Sequence, residues 1–561
     1  MIAASAVRPV LIVGGGPVGL MMAILLARQG QQAIVFEKKL PRESSAPKAH
    51  VLNPRSLEIC RAMGIDVDAM RRLSAHASAG NCARFMRTLN GAEFGSLPFE
   101  APAAAPTAAP TPTPLLNLAQ PLFEAVLQRH AEALPGIEIR RGHAFLSCES
   151  SAQGVRAQIQ SVDGCYAVDA SYLIGADGAN SAVREHLGIG MDGVAAVRPR
   201  VTIHFEADLH HIVGDRPAVL YWVLDPDAHG TFIAYDIGRT WVYAPRHVPQ
   251  QFDRADFPDA RCEQLIRRAV GDDRVTVKIK HVVPWMMSAQ VATRYQCGRC
   301  FLVGDAAHRF PPTGGLGLNT GLQDAHNLAW KLAAVLKGRA DAATLLASYE
   351  SERLPVARIN TQQSLANADK LTGLFRLAAE VLDAGHPDAV QCASLAAEVQ
   401  THREHFLSEG LQLGFCYGPP VRGPADPTHY EASFEPGARM PHAWLQVGGE
   451  TVSTLDLLDP TRFTLLLAPA AGRWVHWHAQ LPDCHTVTLP AQPNFAPAWL
   501  AHDVLTRGGA LLVRPDGHVA CLASDDSDAA FDAVRRTLAN FGFGAFDAHS
   551  RQAAELVTDC A

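Results

Sequence analysis

The 561-residue chain has no long run of basic residues, and its formal net charge is -7. Proteins that bind nucleic acid through its phosphates concentrate lysine and arginine in one patch, so nucleic acid is not expected as a partner. The twelve cysteines show no framework of short, repeated spacings. In a chain of this size, such scattered cysteines indicate reduced thiols and therefore predict a cytoplasmic protein.

Long apolar runs are also scarce, and only residues 10–27 resemble a signal peptide or a membrane span. Three successive glycines and a proline lie in the middle of that run, where they would break a spanning helix. They suit a strand, a tight turn and a helix instead. We therefore expect no membrane partner. The length of the chain predicts two or three packed units rather than a single core.

Local patterns place strands and helices in alternation at the start of the chain. Residues 9–13 and 33–37 are predicted as buried strands, and residues 17–29 as the helix between them. This βαβ start predicts a doubly wound sheet. Residues 201–243 alternate aromatic or β-branched residues with polar ones, which predicts an antiparallel sheet that roofs a substrate pocket. Residues 101–114 are rich in alanine and proline and are predicted to form a flexible surface loop.

The last part of the chain is predicted to be a small separate α/β domain. It contains no Cys-x-x-Cys motif, so no redox role is expected there. Cys297 and Cys300 do have that spacing, but they enter a strand rather than opening a helix, and we interpret them as an incidental pair. The segments expected as strands are 463–467, 485–489, 510–513 and 518–521, followed by a helix at 531–540.

A glycine-rich motif joins the first predicted strand to the first helix. Glycines permit a tight turn, close approach of the backbone to a pyrophosphate and close packing of helix on strand, and the helix N-terminus favours negative charge. Glu37 ends the next strand at the spacing expected for a ribose hydroxyl acceptor, and Lys38 follows it. Together these features predict a dinucleotide site without specifying the dinucleotide. The motif consists of Gly14, Gly15, Gly16, Pro17, Val18 and Gly19.

Two further segments run from a strand into a turn and a helix. One covers residues 172–184 and contains Asp177, and the other covers residues 304–319, with Asp324 and Asn327 on the helix that follows. In the second, Asp305 can accept from ribityl hydroxyls, and the N–H groups of residues 317–319 can stabilise negative charge on a reduced isoalloxazine ring. The remaining residues of interest in that segment are Gly304, Pro312, Gly317, Leu318 and Asn319.

These three motifs, in this order, resemble those of the FAD-dependent aromatic hydroxylases typified by para-hydroxybenzoate hydroxylase. The resemblance covers residues 9–365, and residues 304–319 follow the family pattern without a gap. It implies that the first motif binds the ADP half of FAD, that Asp177 serves FAD and NAD(P)H, and that Gly304 and Asp305 bind the ribityl chain. It also implies that Gln120 contacts the flavin side of FAD. Lys48 stands where the family often has an arginine near the pyrophosphate.

The tail extends the resemblance to the phenol hydroxylase subgroup. Residues 413–417, 436–442 and 514–519 are similar to segments of that subgroup's C-terminal domain. The resemblance implies an α/β fold: a Rossmann-like FAD-binding domain with an inserted antiparallel β-sheet substrate domain and a C-terminal thioredoxin-like domain. We expect the tail to serve packing or oligomerisation, with a homodimer as the candidate assembly.

The expected domain division follows from the order of these segments. The FAD-binding domain is expected in three parts, with the substrate domain inserted between them. The predicted bounds are 1–80 (FAD, first part), 81–115 (substrate segment with the Ala/Pro-rich loop), 116–190 (FAD, second part), 191–290 (substrate sheet), 291–400 (FAD, third part, and a helical stretch) and 401–561 (linker and thioredoxin-like domain).

The resemblance implies hydroxylation of a phenolic or other small aromatic substrate with O2, through a C4a-hydroperoxyflavin, with NADPH or NADH as transient reductant. Such chemistry needs a dry pocket and a base that removes the phenol proton. His50 is the candidate base, because it precedes Arg55-Ser56-Leu57-Glu58, where related phenol hydroxylases carry an acid or histidine facing the substrate. The alternative is a loop histidine with a structural role.

Other residues are candidates for the pocket walls. Pro312 resembles the proline whose carbonyl lines the substrate side of the flavin. Aromatic residues of the predicted sheet could line the roof, although at strand spacing such residues more often belong to the core. No metal site is expected. The aromatic candidates are Tyr221, Trp222, Tyr235 and Trp285.

Alternative functions remain open on the same scaffold. An oxygenase could perform epoxidation or Baeyer–Villiger chemistry on a polyketide-like substrate. An oxidase, a dehydrogenase or a non-catalytic flavin-binding scaffold would share the same motifs. The absence of a Trp-x-Trp-x-Ile-Pro segment disfavours a flavin halogenase.

Overall fold

The computed structural model describes most of the chain. The described residues are 8–40, 48–74, 81–100, 109–249, 253–383, 388–470, 472–477, 480–482, 484–490, 499 and 508–543.

Strands make up the sheets of three structural units. In chain order they are β1 (Val10–Val13), β2 (Ala33–Glu37), β3 (Val51–Leu52), β4 (Cys82–Met86), β5 (Glu93–Pro98), β6 (Leu116–Asn117), β7 (Ile137–Arg141), β8 (Ala144–Ser151), β9 (Gly154–Ser161), β10 (Gly164–Ala170), β11 (Tyr172–Gly175), β12 (Met191–Glu206), β13 (Leu220–Val223), β14 (Gly230–Asp236), β15 (Thr240–Pro245), β16 (Lys278–Ala292), β17 (Gln296–Cys297), β18 (Cys300–Leu302), β19 (His308–Arg309), β20 (Trp444–Val447), β21 (Glu450–Ser453), β22 (Phe463–Leu467), β23 (Cys484–Thr488), β24 (Ala510–Val513) and β25 (Val519–Ala523).

Helices cover the faces of these sheets. In chain order they are α1 (Pro17–Arg28), α2 (Pro54–Ala62), α3 (Val67–Leu73), α4 (Gln120–Ala133), α5 (Ala182–His186), α6 (His210–Val213), α7 (Asp259–Val270), α8 (Leu316–Leu336), α9 (Ala342–Leu382), α10 (Ala389–Gln400), α11 (Arg403–Phe406), α12 (Glu409–Leu413), α13 (Trp474–Trp477) and α14 (Asp528–Asn540), with short 3₁₀ turns at Pro226–Ala228, Gly304–Ala306 and Thr454–Leu457.

The first sheet has the strand order β17-β18-β11-β1-β2-β7, and its inner strands are parallel. Strand β1 is fully buried, because α1 packs against it and its apolar side chains point to both faces of the sheet. Helix α1 ends before Gly30, which has a left-handed backbone. The predicted βαβ start and doubly wound sheet are confirmed. Cys297 and Cys300 lie opposite each other in the register of the β17–β18 hairpin, at the edge of this sheet.

The second sheet has eight strands in the order β19-β16-β12-β15-β14-β13-β4-β5. Its long strands β12 and β16 pair over most of their length. One face packs on α7 around Phe205, Phe232 and Trp241, and we call it the outer face. The inner face carries Trp222 and packs on the second half of α9. The inserted sheet is confirmed. It is mixed rather than purely antiparallel, because β13 returns to pair with β4 in parallel.

The C-terminal unit contains a four-stranded sheet in the order β23-β22-β24-β25. Strands β22 and β23 are parallel, and the other two pairs are antiparallel. Helix α14 follows β25 and packs on it through Phe531 and Val534. This strand order and direction are those of a thioredoxin-like fold, which confirms the predicted fold class.

The Ala/Pro-rich segment differs from its prediction. Residues 101–108 lie outside the described residues. Residues 109–114 do not form a free surface loop, since Thr111 and Thr113 are buried. The Thr111 hydroxyl donates to Glu58 Oε1 at 2.7 Å, so a buried carboxylate on α2 fixes this segment. The domain bounds given above stay a prediction.

Helices that could cross a membrane were sought among the described residues, and none is both long and apolar enough.

A buried ion network joins the C-terminal unit to the first sheet's helices. The Arg514 guanidinium donates to both oxygens of Glu352, at 2.7 and 2.8 Å, and to Asp516 at 2.6 Å. Lys331 on α8 also donates to Glu352, at 2.8 Å. Burial alone would raise the pKa of Glu352, but the Arg514 and Lys331 cations lower it to about 2. The network therefore stays ionised and holds α8, α9 and the β24–β25 hairpin together.

We expect Arg514→Met to lower the free energy of unfolding of the FAD-loaded protein by about 3–5 kcal/mol, because it removes the guanidinium that two buried carboxylates, Glu352 and Asp516, share. Urea denaturation followed by circular dichroism measures this change. The matched control is Arg422→Met, which removes the exposed Arg422–Glu435 ion pair and should cost less than about 1 kcal/mol. Equal, small losses in both variants would contradict the structural role of the network.

Candidate active site

The first glycine-rich turn leaves open space beside its backbone. Gly14 has a φ of +112°, and a Cβ there would lie 2.3 Å from the Ala176 carbonyl oxygen. A Cβ at Gly19 would lie 2.0 Å from the Gly14 carbonyl oxygen. A Cβ at Gly16, in contrast, would meet nothing within 4 Å. Gly14 and Gly19 are therefore required by the fold, whereas the space at Gly16 suits a ligand that approaches the start of α1.

Glu37 holds this turn from the end of β2. Its Oε2 accepts from Gly15 N at 2.8 Å, and its Oε1 accepts from Lys39 N at 2.9 Å. Each carboxylate oxygen keeps a lone pair that a ribose hydroxyl can use. Lys38 is exposed beside it. The geometry fits a nucleoside at the carboxyl end of β2.

Asp177 lies against the same turn. Its Oδ2 accepts from Val183 N at 3.1 Å, and Ser181 caps α5 as expected. Its Oδ1 is buried and has no hydrogen-bond partner among the described residues. The position of Gly14 beside Asp177 brings the first and second motifs together. A buried carboxylate oxygen without a donor is costly, which fits a group that is completed by a ligand.

The third motif lies near the first, because α1 and α8, the helices that begin in these motifs, pack against each other. Pro17 is buried at the start of α1 and Val18 is half-buried. A Cβ at Gly304 or at Gly321 would lie 3.1 or 2.8 Å from a methyl group of Val18. Asp305 is exposed between buried neighbours, so its carboxylate points into the open space. Pro312 is exposed in the following loop, and Gly317 and Leu318 are half-buried in the first turn of α8.

A buried carboxylate fixes the shape of this loop. Asp324 Oδ2 accepts from His308 Nε2 at 3.0 Å and from Gly304 N at 3.2 Å, and Oδ1 accepts from Arg353 Nε at 2.8 Å. Arg353 also donates to the Tyr417 hydroxyl at 2.8 Å. Burial alone would raise the pKa of Asp324, but Arg353 and His308 lower it below its usual value. An ionised Asp324 thus ties the loop, α8 and α9 to one another.

The Asn319 side chain has a structural role that the sequence did not indicate. Its Nδ2 donates to the carbonyls of Val51 and Gly315, at 2.9 and 2.7 Å. Its Oδ1 accepts from Asn53 N and from the Ser56 hydroxyl, at 2.9 and 2.8 Å. It therefore joins the start of α8 to the segment that carries His50. Only its backbone N–H is available for the predicted anion site.

Gln120 and Lys48 are the two remaining residues that were expected to contact the cofactor. Gln120 begins α4; its backbone N–H donates to the Ala49 carbonyl at 2.8 Å, and its side chain turns to Glu124 at 2.7 Å. Lys48 is exposed. Both are placed by the short β3–β6 pair, which lies next to them in the chain. Their contacts with FAD stay predictions.

His50 is the first member of a chain of polar side chains. Its Nδ1 lies 3.0 Å from Asn117 Oδ1. Asn117 Nδ2 donates to Asn81 Oδ1, and Asn81 Nδ2 donates to Glu100 Oε2 at 3.4 Å. Sequence reasoning missed Asn117, Asn81 and Glu100, because they come from three separate segments that only the fold brings together.

His50 and Tyr235 line a common cavity of about 20 Å³, which has room for about one water molecule. The two rings meet edge to face, with centroids 6.2 Å apart. The Tyr235 hydroxyl is buried and has no hydrogen-bond partner within the described chain. Burial raises the pKa of Tyr235, so its hydroxyl stays a proton donor. His50 and Tyr235 are thus neighbours at the wall of one cavity.

The other aromatic candidates lie elsewhere on the sheet. Tyr221 lies in the core of the outer face, where its hydroxyl donates to the Arg216 carbonyl at 3.0 Å, so it does not line the His50 cavity. Trp222 stacks on Phe85 in the core between the inner face and α9. Trp285 is half-buried, and its Nε1 donates to the Thr202 hydroxyl at 2.9 Å. Of the four aromatic candidates, Tyr235 alone lines the same cavity as His50.

Groups of three or more histidine, cysteine or acidic side chains with metal-binding geometry were sought in the described ranges, and none was found.

Comparison with known proteins identifies the family. Residues 8–364 match the model of the FAD binding domain, and residues 434–542 match the model of the aromatic-ring hydroxylase C-terminal region. The chain belongs to the FAD-dependent aromatic-ring hydroxylases. The protein is thus a flavoprotein monooxygenase that hydroxylates an aromatic substrate, as the sequence predicted.

Individual relatives cover nearly the whole chain. A 2,4-dichlorophenol 6-monooxygenase of Delftia acidovorans is 32% identical, over 94% of this chain and 97% of its own length. A tetracenomycin A2 monooxygenase-dioxygenase of Streptomyces glaucescens is 33% identical, over 91% and 92%. The crystal structure of the flavin-dependent monooxygenase PieE in complex with FAD and substrate matches with a TM-score of 0.86 and 32% identity, over 96% of this chain and 100% of that chain.

The open space at Gly16 generates a test of the cofactor site. Gly16 has a φ of -75°, which alanine adopts freely, so Gly16→Ala should leave the unfolding midpoint of the FAD-free protein unchanged. Its methyl group would occupy the space meant for the pyrophosphate, and we expect FAD content to fall at least tenfold, measured by the ratio of flavin to protein absorbance. The control is Gly373→Ala, also in open space, which should keep FAD. Full FAD content in Gly16→Ala would contradict this site.

Proposed function

We propose that the protein hydroxylates a phenolic ring, with His50 as the general base and NADPH or NADH as the source of electrons. The observation that carries the proposal is the His50–Asn117 hydrogen bond at the wall of a cavity that Tyr235 also lines. Val51, next to His50 in the chain, packs against Gly315 of the third motif. This contact supports a position of the proposed base beside residues 304–319, which we call the flavin loop.

The hydrogen-bonded side chains behind His50 favour one tautomer of its imidazole. Glu100 accepts from Asn81, so Asn81 presents its Oδ1 to Asn117, and Asn117 in turn presents its Oδ1 to His50. The imidazole then carries its proton on Nδ1, and Nε2 is the nitrogen that takes a proton. Asn117 is thus a positioning residue for the base.

The bound FAD would accept electrons from the nicotinamide and would react with O2. Gly16, Glu37, Asp177 and Asp305 are the residues proposed to hold it, together with the N–H groups of residues 317–319. This chain's own task is to prepare the ring. Removal of the phenol proton by His50 pushes electron density onto the ortho and para carbons, and the Tyr235 hydroxyl can donate to the resulting phenolate.

The relatives leave the size of the substrate open. The chain is about equally similar to a dichlorophenol monooxygenase and to a tetracenomycin monooxygenase. A polyketide-type substrate with fused phenolic rings is therefore the second candidate, and it uses the same base. Assembly as a homodimer and a cytoplasmic location, where NAD(P)H is available, complete the proposal.

The experiment that tests the function uses the FAD-loaded protein. NADPH and NADH oxidation are followed with and without single-ring phenols and fused-ring phenols, and products are analysed by mass. Stimulated oxidation with a gain of one oxygen atom supports the proposal. Oxidation that no phenol stimulates, with the flavin bound, would rule out a phenol as the substrate.

His50→Gln should lower the rate of phenol hydroxylation at neutral pH by about 10²–10⁴-fold, the usual contribution of a general base. The defect should shrink as pH rises towards the pKa of the phenol, because the substrate then ionises unaided. A nitrophenol, already largely ionised near neutral pH, serves as the matched substrate and should show little loss. Equal losses for both phenols at every pH would exclude His50 as the base.

Asn117→Asp should raise the pKa of the base, because a carboxylate beside Nδ1 stabilises the imidazolium. The acidic limb of the pH profile of kcat/KM should therefore move to higher pH. Asn117→Leu should lower kcat without that displacement, because it only removes the orienting hydrogen bond. Unchanged profiles in both variants would show that Asn117 does not act through His50.

A further inference from the structure

We propose that Cys148 and Cys300 form a redox-active pair of thiols, in which hydrogen peroxide oxidises Cys148 and Cys300 then closes a reversible disulfide. Their Sγ atoms lie 3.9 Å apart. A disulfide bond is about 2 Å long, so the two sulfurs need to approach each other by about 2 Å. The proposed hydroxylation uses neither thiol, so this modification site is additional to that function.

The two thiols lie where the edges of two sheets meet. Cys148 belongs to β8, the edge strand of the three-stranded sheet β10-β9-β8, and Cys300 begins β18, directly after the turn of the β17–β18 hairpin. In that turn, Arg299 N donates to the Ser150 hydroxyl at 3.2 Å, and the Arg299 guanidinium donates to the Ala152 carbonyl at 2.7 Å. These contacts keep the two thiols together. As an edge strand, β8 can approach the hairpin without breaking a strand pair.

The difference in burial gives each thiol a different role. Cys148 is half-buried, and the three residues that follow it on β8 are exposed. Cys300 is fully buried. A small oxidant from the solvent therefore meets Cys148 first, and Cys300 is the thiol that attacks the oxidised sulfur from inside the protein.

The ionisation of Cys148 agrees with this role. A hydrogen bond from the Cys300 thiol lowers the pKa of Cys148, and this effect outweighs burial, which raises it. Elsewhere in the chain, burial raises the pKa of Cys60 to about 12 and that of Cys262 to about 11, so those thiols keep their protons. Because the thiolate is the form that attacks an oxidant, Cys148 is expected to react before them.

The reaction has two steps. The Cys148 thiolate attacks one oxygen of hydrogen peroxide, the O–O bond breaks, and the hydroxide that leaves takes up a proton to become water, so that Cys148 becomes a sulfenic acid. The Cys300 sulfur then attacks the Cys148 sulfur, the S–S bond forms and the S–O bond breaks, and the leaving hydroxide takes the proton of Cys300 to give a second water. Two thiols thus lose two electrons to one peroxide.

The order of the steps follows from the charge on Cys148. The hydrogen bond with Cys148, burial and the negative charge of the Cys148 thiolate all raise the pKa of Cys300. Cys300 therefore keeps its proton while Cys148 is ionised. A sulfenic acid is neutral, so its formation removes that charge and allows Cys300 to ionise and attack.

The disulfide would close a long segment of the chain. Cys148 and Cys300 are 152 positions apart, and the residues between them carry Asp177 and the strands β12 to β16 of the inserted sheet. A cross-link at the two ends of such a segment restricts the unfolded chain more than the folded one. Strand β18 also leads directly into the flavin loop. We therefore expect oxidation to stabilise the part of the protein that carries the cofactor motifs.

The test uses the FAD-loaded wild type with its thiols first reduced. The protein is treated with hydrogen peroxide in the absence of NADPH and NADH, the remaining thiols are blocked, and the peptides are analysed by mass. We expect a Cys148–Cys300 link, with the loss of two hydrogen atoms, that dithiothreitol reverses. No link, or a link of Cys300 to Cys297, which lies opposite it in the hairpin, would overturn the proposal.

Variants of Cys300 separate its two roles. Cys300→Ser and Cys300→Ala both lack the resolving thiol, so dimedone should trap a sulfenic acid on Cys148 in each. The serine hydroxyl can still donate to Cys148, whereas alanine cannot. At neutral pH, Cys148 in Cys300→Ala should therefore react more slowly than in Cys300→Ser, by about threefold for each tenfold loss of thiolate, because a more basic thiolate is a better nucleophile. Equal rates would contradict the activation of Cys148 by Cys300.

The matched control is Cys165→Ser. Cys165 is exposed on β10, and its Sγ donates to Gln160 Oε1 at 2.9 Å. Oxidation should raise the midpoint of urea unfolding in the wild type and in Cys165→Ser, but not in Cys148→Ser, and the FAD content of each reduced variant shows that it folds. An unchanged midpoint in wild-type protein that contains the link would overturn the stabilising role of the disulfide.

Discussion

The buried carboxylate of Asp324 is the constraint on which the rest of the site depends. It accepts from Gly304 N and His308 in the flavin loop and from Arg353 on α9, and Arg353 reaches Tyr417 beyond it. A buried charge is tolerated only when cations and hydrogen bonds surround it, so the loop is held in the one shape that supplies them. The exposed position of Asp305 follows from that shape, since the residues around it are pulled inward. Buried charge thus holds the loop in this shape.

The C-terminal unit acts on the same site through a second set of buried charges. Arg439 donates to Glu58 on α2, and Thr111 donates to the same carboxylate. The start of α2 is fixed in turn by Asn319 of the flavin loop. Helix α2 is therefore clamped at one end by the cofactor loop and in its middle by the tail, and the His50 segment precedes it directly. The C-terminal unit thus fixes the helix that directly follows the His50 segment, although it has no redox motif.

The sequence allowed prediction of features that depend on local chemistry. The βαβ start, the helices and the strands of the tail follow from hydrophobic periodicity and from glycine at tight turns, which require no knowledge of distant contacts. Contacts between separate segments could not be predicted. Asn117, Asn81 and Glu100 are ordinary polar residues until the fold aligns them behind His50. Thr111 was assigned to a surface loop because composition does not reveal a buried partner such as Glu58. The β13–β4 pairing was missed for the same reason, since it joins strands more than a hundred residues apart.

The inner face of the sheet explains how one scaffold can serve different rings. Successive side chains on β12 point to opposite faces, so Val201 and Ile203 maintain the core while Arg200 and Thr202 point to the inner face. Substitutions at the inner-face positions change the charge and shape of that face without disturbing the packing on α7. His50, the proposed base, and Tyr235 meet edge to face, and Tyr235 belongs to the same inner face. Relatives named for a dichlorophenol and for tetracenomycin share about a third of their residues with this chain. Such divergence is compatible with one core, because alternate residues of a strand face opposite sides of the sheet and can vary independently.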